Sequence, residues 1–142
     1  MERIPNFIGG AHVEPASGAW LDNVEPATGR VLSRVADSQA ADVERAVDAA
    51  RSASAAWADV PAAERSRLLL DIAARIEADA ESFARAESLD TGKPIRLART
   101  VDIPRAVSNF RFFATAILHW SSEAHTTDHE ALNYTLRRPR GV

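Results

Sequence analysis

The sequence contains no cysteine. Disulfides, thiolate metal sites and a cysteine nucleophile are therefore excluded for this chain. It also lacks an excess of positive charge: 17 basic residues stand against 20 acidic ones, a net charge of −3. Binding to nucleic acid or to an anionic membrane needs a clustered basic surface, so neither partner is expected. The one basic cluster, Arg137, Arg138 and Arg140, reads as a solvated or partner-facing strand. No apolar run approaches the roughly 20 residues needed to span a bilayer. The opening MERIPNFIGG has the pattern of neither a secretion signal nor an arginine-rich transit peptide, so a cytoplasmic location is expected by elimination. Glycine-rich phosphate loops of the GxGxxG or GxxxxGK[ST] kind are missing too. Gly9-Gly10 reads as a turn, and Asp90-Thr91-Gly92-Lys93 places its glycine at the end of a helix.

What is present is an ordinary globular composition, 46% apolar over 142 residues, enough for one modest domain. The N-terminal part is β-like. Ile4 to Ile8, Gly9-Gly10 and Ala11 to Glu14 predict a hairpin. Glu25 to Gly29 has turn chemistry throughout, and Arg30 to Ala36 predicts a strand with Val31 and Val35 facing in. Ser38 is placed to cap a helix running to about Trp57. Val43, Ala46, Val47, Ala50, Ser54 and Trp57 form its apolar face, and Asp42 falls on the opposite, polar one.

Pro61 starts a second helix with Leu68, Leu69, Ile72, Ala73 and Ile76 as its buried stripe. A third covers about Asp79 to Leu89, with Phe83, Ala84 and Ala86 as contacts, and Gly92 supplies a left-handed cap. Pro94 opens a fourth helical region that Pro104 kinks or splits, running to about Ser121. Its core face is Phe110, Phe113, Ala114 and Ile117. Residues 122 to 130 read as loop, and Ala131 to Arg138 as a lone amphipathic strand. A lone strand with an apolar face needs a sheet to join. The chain is expected to pair with another chain or to be a piece of a longer one, and its ending on Gly-Val favours the second.

No catalytic, metal or cofactor-binding constellation emerges from pattern alone. His125 and His129 stand four apart beside Asp128 and Glu130, but the loop context lacks the helix that would align them on a metal. No Ser-His-Asp arrangement has supporting context.

Taken in order, several segments resemble the N-terminal portion of an aldehyde dehydrogenase. They are Asn6 to Gly10, Glu25 to Gly29 before Val31, Asp42-Val43 to Ala50, Trp57, Glu64-Arg65, Glu87 to Pro94, Asn109 to Ala114 and Pro139 to Val142. Leu97 to Thr100, Asp102 to Arg105, Asn109 to Phe113, Leu118-His119, Asp128-His129 and Tyr134-Thr135 are similar to the 2-hydroxymuconic and 2-aminomuconic semialdehyde dehydrogenase branch. The resemblance implies an α/β fold: short N-terminal strands, four to five helices and one C-terminal bridging strand, an incomplete Rossmann-like domain. It implies that residues 1–121 belong to an NAD-binding domain, and that residues 122–142 are the loop and first strand of an oligomerisation arm. The strand Ala131 to Arg138 would then pair with the remainder of the enzyme or with another subunit.

The family's nucleophilic cysteine, general-base glutamate and oxyanion-binding asparagine lie beyond Val142 in its pattern, as do the elements that hold NAD. The resemblance therefore implies no catalytic and no cofactor-binding residue here, and a chain inactive by itself. Two arginines remain, six residues apart and so about 120° apart around a helix. Arg111, among Phe110, Phe112 and Phe113, reads as structural, capping carbonyls or pairing with a carboxylate. In the resemblance Arg105 falls at the mouth of the aldehyde tunnel, where other members carry an apolar residue. Muconic semialdehydes carry a carboxylate, which an arginine holds with two charged hydrogen bonds. Arg105 is thus a candidate substrate-binding residue with Asn109 beside it, or else a structural partner of Asp102. A truncated interaction module pairing through its C-terminal strand, or a marginally folded remnant, are the other functional readings.

Overall fold

The structure is a computed structural model that describes residues 1–138 and 141. Of the segments read above, Pro139, Arg140 and Val142 lie outside the described residues.

The N-terminal strands are short because prolines and glycines interrupt them. Pro5 cannot donate to a ladder, and the expected run from Ile4 to Ile8 divides there. β1 (Glu2–Ile4) pairs in parallel with β5 (Val31–Ala36), while β2 (Asn6–Ile8) turns back through Gly9-Gly10 onto β3 (Ala11–Val13). Both glycines have positive φ, 60° and 83°, the geometry that a two-residue hairpin demands. β4 (Trp20–Val24), which turn residues on both sides disguise in the sequence, pairs antiparallel with β5. The sheet order is β1-β5-β4. The inward face of β5 centres on Ser33, 3% exposed, and Val31 at its end is 38% exposed, so Val31 is not the core residue expected. Asn23, opposite Ser33, donates to Ser33 Oγ at 3.2 Å and to Asp90 Oδ1 at 2.7 Å, tying the sheet to a helix.

α1 (Ala40–Ala58) starts one residue later than expected, after Gln39. Ser38 is not its cap: its hydroxyl donates to Asn6 Oδ1 at 2.8 Å. The cap comes from Asp42, whose carboxylate accepts the Gln39 N–H at 3.0 Å and the Ala16 N–H at 2.9 Å. Asp42 is therefore buried, 2% exposed, and not on the polar face. The apolar face of α1 is open instead: Val43 is 57% and Trp57 47% exposed. Among the described residues no other helix packs extensively against it.

α2 (Ala62–Ala78), α3 (Ala80–Thr91) and α5 (Ile103–Ala116) make the helical core, with α5 packed chiefly on α2. The fully buried positions are Ala73, Ala84, Ala98 and Ala114, joined by Val107 at 4% exposure. Small side chains at these crossings let the helices approach closely. The larger apolar residues are only partly covered. Leu69, Ile76, Phe110 and Ile117 are half-buried, whereas Leu68, Ile72, Phe83 and Phe113 are exposed, against expectation.

α3 ends at Gly92, φ 74°, whose N–H bonds to the Ser88 carbonyl at 3.0 Å. A Cβ at Gly92 would lie 3.0 Å from Pro26 Cβ, so this turn sits directly on the Glu25 to Gly29 turn. α4 (Ile95–Leu97) follows, then a π-helical stretch at Ala98–Asp102, then α5 with Pro104 in its first turn. The expected split at Pro104 is present as this wide turn, which accommodates the hydrogen bond proline cannot donate.

After a 3₁₀ turn at Ile117–His119, residues 124 to 127 form β6 (Ala124–Thr127), where loop was expected. β6 pairs antiparallel with β7 (Ala131–Tyr134). The expected C-terminal strand is thus present, shorter than Ala131 to Arg138 and with a partner in the chain. The turn between them has Asp128 and His129 at φ 49° and 62°. The hairpin is exposed on both faces, so β6 needs no apolar alternation to form and shows none. No helix among the described residues is long and apolar enough to cross a membrane.

Candidate functional site

Helix α5 has two sides. Val107 and Ala114 face the core. Arg105 and Asn109, four residues apart, point about 160° away from Val107 and so share an exposed stripe. Phe112, seven residues from Arg105, falls on the same stripe and is 64% exposed. It meets Phe113 edge to face, with ring centroids 5.2 Å apart. The stripe offers a guanidinium, an amide and an aromatic ring in a row, the groups that would meet an unsaturated carboxylate.

Among the described residues Arg105 makes no ion pair. Its expected structural partner is engaged elsewhere. Asp102 Oδ2 accepts from Lys93 Nζ at 2.8 Å, and the same ammonium lies 2.9 Å from Glu87 Oε1. The hydrogen bonds to Asp102 and then Glu87 hold the Lys93 pKa above its usual value. A second clamp fixes the π turn to α3. Arg99 donates to both Glu81 oxygens, at 2.7 and 2.6 Å, and holds that carboxyl below the usual range. Arg111 is structural, as expected: it binds Glu77 of α2 with both terminal nitrogens, at 3.2 and 2.5 Å.

Neither of two clefts beside the helical core suits a dinucleotide. One, about 340 Å³ between α2 and α5, has Arg111 on its wall, but that guanidinium is committed to Glu77. The other, about 540 Å³ between the sheet and α3, is lined by the carboxylates of Glu2, Glu87 and Asp90 beside apolar Ile4, Leu32 and Phe83. A pyrophosphate needs N–H donors or cations, and these walls supply the opposite charge. His125 lies on β6 and His129 in the turn, and no group of three His, Asp or Glu among the described residues is arranged to hold a metal. Arg137, one of the basic cluster, stacks on Trp120 at 5.4 Å, and Arg140 lies outside the described residues.

Three residues of the site region carry no signal in the sequence. Lys93 and Asp102 are brought together across the π turn, and Phe112 is masked among Phe110, Arg111 and Phe113. Its spacing of seven from Arg105 in one helix would have placed it on the same stripe.

Comparison with known proteins extends these observations. The sequence profile of the aldehyde dehydrogenase family matches residues 12–142. The 2-aminomuconic semialdehyde dehydrogenase of Bos taurus is 47% identical over 140 residues, 98% of this chain and 28% of that protein. Among solved structures, indole-3-acetaldehyde dehydrogenase in its apo form superposes with a TM-score of 0.92 at 38% identity, covering 96% of this chain and 32% of that one. PnpE in complex with nicotinamide adenine dinucleotide superposes with a TM-score of 0.89 at 41% identity, covering 92% of this chain and 27% of that one. The chain spans little more than a quarter of the curated relatives it matches, and its strands and helices are the N-terminal portion of their fold. With sequence and backbone agreeing over nearly its whole length, the chain belongs to the aldehyde dehydrogenase family.

Proposed function

We propose that this chain is the N-terminal segment of an NAD(P)-dependent aldehyde dehydrogenase that oxidises a carboxylated semialdehyde to the acid. In this reading residues 1–121 belong to the NAD-binding domain and residues 122–142 to the arm that bridges subunits. The observation that carries the substrate class is Arg105, an exposed guanidinium without an ion-pair partner among the described residues, with Asn109 one turn on. It binds the remote carboxylate, Asn109 adds a polar contact, and Phe112 lies along the carbon chain between. The identity to a 2-aminomuconic semialdehyde dehydrogenase supports the same class. The dinucleotide, a ligand of PnpE, accepts hydride in such an enzyme, and neither of the two clefts described above has walls suited to it.

Aldehyde oxidation of this kind needs a thiolate to attack the carbonyl carbon, and the chain has no cysteine. Alone it is inactive. The test is a chimaera in which this chain replaces the matching segment of the Bos taurus relative. The chimaera forms NADH from a carboxylated semialdehyde, and the 142-residue chain forms none. NADH formation by the short chain refutes the reading.

One observation favours a second reading, a module that acts by strand pairing. In the two-stranded β6-β7 sheet, Leu132 and Tyr134 are 65% and 63% exposed and, among the described residues, the outer edge of β7 is unpaired. A stable, folded, non-catalytic dimer of the chain on size-exclusion chromatography, abolished by Leu132→Pro, would support that module.

A further inference from the structure

Arg105 has only one carboxylate within four residues along the chain, Asp102. Asp102 closes the π turn with right-handed helical backbone, φ −68° and ψ −52°, and Arg105 follows in α5, so a spacing of three sets them about 60° apart on one face. Pairs at this spacing attract one another on a helix surface. Yet Asp102 bonds to Lys93, nine residues earlier and beyond the π turn. Lys93 can reach it because three features fix its backbone. Gly92 reverses the chain with φ 74°. The Ser88 hydroxyl donates to the Lys93 carbonyl at 2.8 Å. The Arg99–Glu81 clamp then holds the intervening π turn against α3.

We infer that Lys93 is a positioning residue: by occupying Asp102 it keeps the Arg105 guanidinium free for an incoming carboxylate. Its use for substrate rests on the reading of Arg105 given above, but the ion-pair exchange itself does not. Glu87 shares the ammonium, so the three groups carry one net negative charge. Removing Lys93 leaves Asp102 uncompensated; Arg99, three residues before it, is committed to Glu81, and Arg105, three residues after it, makes no ion pair among the described residues and can take the place of Lys93. A bound substrate carboxylate would then compete with Asp102 for the same guanidinium.

Phenylglyoxal labels free guanidinium groups faster than paired ones, and peptide mass spectrometry assigns the site. In the 142-residue chain, Lys93→Met should slow labelling of Arg105 roughly two- to fivefold, the range set by an exposed ion pair. Arg67, exposed on α2, serves as internal standard. The double variant Lys93→Met with Asp102→Asn should restore the original rate, and high salt should shrink the difference. Unfolding would announce itself as faster labelling of Arg111, which Glu77 otherwise holds. A folded Lys93→Met chain whose Arg105 rate is unchanged, or is not restored by Asp102→Asn, overturns the inference. In the chimaera, Lys93→Met should raise KM for the carboxylated aldehyde by a similar factor with kcat unchanged. If Arg105→Ala leaves that KM unaltered while the labelling result holds, the substrate reading fails and the ion-pair exchange stands.

Discussion

Asp42 is the residue on which the N-terminal third depends. Its carboxylate takes one N–H from the start of α1 and one from the loop at Ala16, 26 residues away, and these bonds hold its pKa below the ordinary 3.8, the Gln39 bond foremost. A depressed carboxylate pKa stabilises the fold above its unfolded value, and that stability is lost as pH falls through the folded value. The melting temperature should therefore drop on acidification below about pH 4, and Asp42→Asn should flatten that dependence while lowering stability at neutral pH. An unchanged acid profile in Asp42→Asn would contradict the assignment. Gly92 acts by backbone. An L-residue at φ 74° costs about 1–2 kcal/mol, and the contact with Pro26 adds to it. Gly92→Ala should lose at least that much in urea unfolding. Gly92 was legible in the sequence because a left-handed cap has its own residue signature. Asp42 was not, because its burial depends on a loop that no local pattern connects to the helix.

At the scale of elements, the helices follow the sequence closely and their burial does not. The 3.6-residue period located α1 to α5, and proline and glycine marked their ends. Period alone says which side is apolar, not whether anything lies against it. That is why Val43, Val47 and Trp57 could be placed on one apolar face and yet stand exposed. Spacing alone put Asn109 on the face of Arg105 one turn on, and Phe112, seven residues from Arg105 in the same helix, completes that stripe. β6 was missed because its residues, Ala124–Thr127, are exposed on both faces and, unlike those of β7, carry no alternation. Its turn places His129 at φ 62°, in the left-handed region. His129→Gly should stabilise the hairpin by about 1 kcal/mol, read as slower amide exchange across the Thr126–Leu132 pair. Faster exchange would contradict the turn geometry.

Across the whole molecule, a core of alanines buries little surface, while Leu68, Ile72, Phe83 and Phe112 remain open. At about 25 cal/mol per Å² of apolar area, such a core leaves the chain marginal. The isolated chain should bind an environment-sensitive apolar dye such as ANS in its native state. Val43→Lys with Val47→Lys should reduce that signal without unfolding α1, as circular dichroism would register. Dye binding that is absent from the native chain would argue that these faces are covered by self-association.

If Arg105 holds the substrate carboxylate as proposed, it selects an aldehyde that bears one. That selection is tested by steady-state kinetics of the chimaera with and without Arg105→Ala, on a carboxylated semialdehyde and on an uncharged aldehyde of similar length. Loss of a charged hydrogen-bonded pair corresponds to roughly ten- to hundredfold. KM for the carboxylated substrate should rise by that factor while the uncharged aldehyde is turned over as before. Equal losses on both substrates would make Arg105 a structural residue and contradict the account.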